Sequence, residues 1–83
     1  MNIDKELWQH AKKSAVRLEK RGLTKVALYS DDPEVLELMV NNFDRHFRKI
    51  FADKGYYLRR VHVTSAAFAR GGWECFVEYM ISK

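Results

Sequence analysis

The chain has one cysteine and one proline among its 83 residues. A lone cysteine cannot close an internal disulfide or supply the thiolate pairs of a structural zinc site. A disulfide scaffold and a zinc finger are therefore excluded, and a reducing cytoplasm is the simplest setting for Cys75. No apolar run approaches the ~20 residues needed to cross a bilayer, so no membrane partner is expected. The stretch MNIDKELWQHAKK has no long apolar segment, so it does not read as a signal peptide. Glycine is also scarce. None of the four falls in a G-x-x-x-x-G-K-[ST] or G-x-G-x-x-G pattern that would cradle phosphates. There is no repeat, linker or low-complexity segment.

What is present suits one globular domain spanning residues 1–83. Hydrophobic residues make up 47% and aromatic residues 13%, ample for a core. A chain this short buries only ~60–65% of its unfolded surface, so its stability is modest. The formal charge is +4. Such a balance permits nucleic-acid or acidic-protein partners and equally serves solubility.

Two helices are readable. Over Asn2 to Arg21, the residues Ile3, Leu7, Ala11, Ala15 and Leu18 recur at helical spacing with Ser14 beside them. Asn2 suits the cap, Asp4 and Glu6 the first turn, Lys20 and Arg21 the last, and Gly22 the stop. Trp8 and Val16 fall at the edge of the stripe. The second helix starts at Asp32-Pro33-Glu34, a capping aspartate followed by proline at the first helical position. Leu36, Met39, Val40, Phe43, Phe47, Ile50 and Phe51 form its apolar stripe. From Pro33 to Lys54 it would be ~33 Å long, with Gly55 as the stop.

Three strands are expected. Leu23 to Ser30 alternates Val26 and Leu28 against Lys25, Ala27 and Tyr29. Tyr57 to Ala67 and Trp73 to Ile81 read as a hairpin. In the last strand Trp73, Cys75, Val77, Tyr79 and Ile81 face the core. A three-residue loop, Ala69-Arg70-Gly71, sets Val63 opposite Val77, Val61 opposite Tyr79, His62 opposite Glu78, Thr64 opposite Phe76 and Arg60 opposite Met80. A two-residue loop would bury mismatched pairs, so the longer loop is expected. The element order α-β-α-β-β then gives an α+β fold, a two-layer α/β sandwich. The three-stranded sheet has order 1-3-2, the third strand central. Both helices cover one face. The arrangement is like part of a ferredoxin-like fold, an architectural likeness that implies no function.

Two helices leave the other sheet face open, carrying Lys25, Ala27, Tyr29, Arg60, His62, Thr64, Glu74, Phe76, Glu78 and Met80. A wet face laced with opposite charges accounts for part of this set. Tyr29, Phe76 and Met80, rimmed by charge, also fit a protein interface. The expected site is therefore Tyr29, Arg60, His62, Glu74, Phe76, Glu78 and Met80, meeting a protein partner or a second copy in a homodimer. Glu74 and Glu78 argue against base stacking on this face, because they would repel a phosphate backbone.

The alternative is phosphate contact through helix cations: Lys12, Lys13 and Arg17 on the first helix, Arg45, Arg48 and Lys49 on the second. Interspersed Glu6, Glu19, Asp44 and Asp53 favour a plain solvated surface instead. His10, His46 and His62 lie on separate elements without ligand spacing, so no metal is expected. No nucleophile–base motif is present, so neither an enzyme, a cofactor nor a small-molecule substrate is expected. His62 opposite Glu78 lacks a nucleophile beside it, and Cys75 reads as a small core hydrophobe.

Overall fold

The computed structural model describes the backbone of residues 3–82 and the side chains of residues 4–81. The expected cap Asn2 and the side chain of Ile3 lie outside the described residues. Helix α1 spans Ile3–Arg21. It ends where the Gly22 N–H reaches the Leu18 carbonyl at 2.7 Å, with Gly22 at φ 76°, a conformation that glycine adopts without a Cβ penalty. Strand β1, Leu23–Ser30, follows at once. The Asp32 carboxylate then accepts from the Glu34 N–H at 2.9 Å and opens helix α2, Pro33–Asp53. No helix of the described residues is long and apolar enough to cross a membrane.

The α2 stripe builds the core. Leu36, Phe43, Phe47 and Phe51 are buried, and the three phenylalanines stack one helical turn apart. Ring centroids lie 5.1 Å apart for Phe43 and Phe47, 5.2 Å for Phe47 and Phe51, and 4.7 Å for Phe47 and Tyr79. Such ring pairs add ~0.5–1.5 kcal/mol beyond their burial. Leu7, Ala11, Ala15 and Leu18 of α1 complete the helix layer, and Val26, Leu28, Cys75 and Val77 the sheet layer.

The α+β class is as expected, but among the described residues the sheet has four strands, not three. Tyr57–Val63 forms β2, Ala67–Ala69 a separate β3, and Gly72–Ser82 the long β4. The sheet order is β1-β4-β2, with β3 also on β4, and every pairing is antiparallel.

The second strand carries an irregularity with a physical cause, ahead of its break at residues 64–66. Leu58 and Val63 are out of phase, so an unbroken strand could turn only one of them toward the helices. A bulge between Arg60 and His62 resolves the conflict. It leaves Val63 opposite Val77 and His62 opposite Glu78, but moves Arg60 opposite Tyr79 and Arg59 opposite Met80. The expected pairs Val61–Tyr79 and Arg60–Met80 do not form, and Val61 is exposed. The register slips once more before β3, where Ala69 pairs with Gly72. The hairpin therefore closes in two residues, not three: Arg70 and Gly71, at φ 52° and 80°, as a type I′ turn demands. The extra residues taken up along the strand make the short turn compatible with the Leu58–Ile81 and Val63–Val77 pairs.

Candidate interaction surface

The helices lie on one side of the sheet, and the register orders the other side into rows. Tyr29, Glu74 and Ala67 form one row. Ala27 and Phe76 form the next, with Thr64 hydrogen-bonded beside them. Its N–H donates to the Phe76 carbonyl at 3.0 Å and its Oγ1 accepts from the Phe76 N–H at 2.8 Å. Lys25, Glu78 and His62 follow, then Leu23, Met80 and Arg59.

This order breaks up the expected Tyr29–Phe76–Met80 patch. The charged row of Lys25, Glu78 and His62 separates Phe76 from Met80, and the Lys25 ammonium sits over the Phe76 ring, 5.0 Å from its centroid. Phe76 is half-buried as a result. At the far end Glu74 accepts from Arg70 at 2.8 Å, and the Tyr29 hydroxyl donates to the Arg70 carbonyl at 3.0 Å. Tyr29 is thereby tied to the hairpin.

The apolar part of the face lies at the opposite end. Leu23 and Met80 are cross-strand neighbours, 47% and 43% exposed. Tyr57 and Arg59 join Met80 and Ile81 around a shallow hollow, and Tyr57 is 72% exposed. The expected site omitted Leu23, Tyr57 and Arg59. Leu23 was accessible by alternation from Lys25. Tyr57 and Arg59 are placed on this face only by the bulge.

The same bulge removes Arg60 from the open face. Its guanidinium lies on the helix side, 4.0 Å from Asp44 Oδ1. There the Tyr79 hydroxyl donates to Asp44 Oδ1 at 2.8 Å, Arg48 Nε donates to Asp44 Oδ2 at 2.8 Å, and a second Arg48 nitrogen donates to the Leu58 carbonyl at 3.0 Å. Burial, then the bond to Asp44, holds the Tyr79 phenol well above its ordinary pKa. The network fastens α2 to β4 and β2.

The helix cations do not converge into one stripe. Lys12 lies over the Trp8 ring, Arg45 donates to Asn42, and Arg48 is engaged with Asp44 and Leu58. Lys49 is exposed on α2. Lys13 and Arg17 lie on a different flank of α1, the one toward β1. Arg17 donates to Ser14 at 3.4 Å. The histidines are also apart: His10 at the Ala27 carbonyl, His46 on Asp4, His62 opposite Glu78. Among the described residues no three His, Cys, Asp or Glu side chains are grouped to hold a metal ion. Cys75 is buried, and burial followed by the charge of Glu74 pushes its thiol pKa up. That is the reverse of what a nucleophilic cysteine needs.

No family model, curated protein or solved structure matches the chain.

Proposed function

We propose that the protein is a small non-enzymatic interaction module that binds a protein partner, or a second copy of itself, through the open sheet face. The observation that supports this reading is the exposed apolar end of that face, where Leu23, Met80 and Tyr57 stand beside Arg59 with no helix of the described residues over them. Aromatic, methionine and arginine side chains are the types enriched where proteins meet. The row of Lys25, Glu78 and His62 next to it supplies charges that select among partners. The buried thiol of Cys75 suits a reducing, cytoplasmic setting.

Met80→Asp tests the reading. Met80 is exposed, so the variant keeps its fold within about 0.5 kcal/mol. Partner capture, or self-association followed by sedimentation, is lost. Phe76→Arg perturbs the neighbouring row and weakens association less. If both variants associate as the unaltered protein does, the face is a plain solvated surface.

A further inference from the structure

The Ile81 N–H donates to the Gly22 carbonyl at 3.2 Å, one step beyond the Leu23–Met80 pair. In an antiparallel ladder, bonded and non-bonded pairs alternate. Thr24, Val26, Leu28 and Ser30 therefore spend their backbone groups on β4. The N–H and C=O groups of Leu23, Lys25, Ala27 and Tyr29 point outward, and all four residues are exposed. His10 confirms the direction, since its Nε2 reaches the outward Ala27 carbonyl at 3.3 Å. The opposite edge is a poor template. β2 is bulged and carries Arg59 and Arg60, devices that discourage strand addition. The β1 edge is regular over its 8 residues with Lys25 as its one charge.

Two separate hollows border this edge beside α1. One is lined by Leu7, Leu28 and Met39 with Glu6 and His10. The other is lined by Arg17, Arg21, Lys25 and Glu78. Lys13 lies between, one turn from Arg17 on the same flank. Among the described residues Lys13, Arg17, Arg21 and Lys25 have no carboxylate within ion-pair distance.

We propose that the β1 edge takes an acidic peptide segment as an added strand. Its main chain would bond Lys25, Tyr29 and the Ala27 N–H, the Ala27 carbonyl being shared with His10. The row of its side chains that faces α1 would bring carboxylates to Lys13, Arg17 and Arg21 and one apolar side chain to the Leu28–Met39 hollow. Charge selects this occupant over a second copy, because pairing two β1 edges would bring two net-positive flanks together. The inference concerns a different surface from the open face and stands independently of it.

The test is a titration of isotope-labelled protein with two capped peptides as long as β1, one with glutamate at alternate positions, leucine replacing the terminal glutamate and threonine between, the other the same with lysine for glutamate. The glutamate peptide should shift the amides of Lys25, Ala27 and Tyr29 and slow their exchange, fading as salt rises. The lysine peptide should do neither. Joint Arg17→Glu and Arg21→Glu substitution should weaken binding at least about tenfold. Ala27→Pro, which deletes an outward N–H without costing a bond to β4, should abolish it. Met80→Asp should leave it intact, which separates this proposal from the open-face reading. Absence of binding, equal binding of both peptides, or shifts confined to Phe76 and Met80 would overturn it. So would concentration-dependent protection of the β1 amides without peptide, which would make a second copy the occupant.

Discussion

The Tyr29 ring lies across Gly72. A methyl group built at Gly72 would overlap the Tyr29 hydroxyl and ring carbons, and the hydroxyl is fixed beyond that point by its bond to the Arg70 carbonyl. An aromatic ring laid over a strand glycine fills the gap that the missing side chain leaves. It also pins β1 to the hairpin turn.

Gly72→Ala should therefore destabilise the protein by about 1 kcal/mol, a fall in Tm of roughly 4–8 °C for a domain of this size. Gly72 is not among the positive-φ glycines, so the backbone itself accepts alanine. In a Tyr29→Ala background the same substitution should stabilise by about 0.4–1 kcal/mol, through the lower entropy of the unfolded chain. Thermal melts of the four proteins check this reversal of sign.

Tyr79 gives a pH prediction. Its folded pKa lies above the ordinary 10.0, so the native state keeps a phenol proton that the unfolded chain releases. The stabilisation is complete below pH 10 and is lost progressively above it, at up to about 1.4 kcal/mol per pH unit. Tyr79→Phe should cost about 1 kcal/mol at neutral pH, from the lost bond to Asp44. It should also flatten the fall in stability between pH 10 and higher values. Urea titrations at stepped pH measure both.

Cys75 is buried, with its thiol pKa pushed up. Alkylation of the native protein at mildly alkaline pH should be at least about tenfold slower than in denaturant, since little of the thiol is exposed and less of it is thiolate. Mass spectrometry of timed samples reads the rate directly.

The parts of the fold that were legible in the sequence are those where one signal acts alone. Asp32-Pro33 opens α2, its apolar stripe marks the buried side, and the alternation from Trp73 to Ile81 orients β4. The parts that were not legible are those where two signals compete. Leu58 and Val63 each call for the helix side, and the chain satisfies both by a bulge. That insertion exchanges Arg60 for Arg59 on the open face, and a second slip between Val63 and Ala67 divides the expected strand. The phase conflict was visible in the sequence, but its resolution depends on what the partner strand can accommodate. The packing within the expected patch was not legible for another reason. Alternation places Phe76 and Lys25 on one face but does not show that the lysine folds over the ring.

The most direct measurement places a photoreactive residue at Met80 and, as a control, at exposed Gln9 on α1, in cells that naturally make the protein. Light should yield an adduct of defined mass from position 80 and none from position 9. Twice the monomer mass would identify a second copy, and any other single mass a distinct protein partner. No adduct at position 80 above the control would contradict the open-face account.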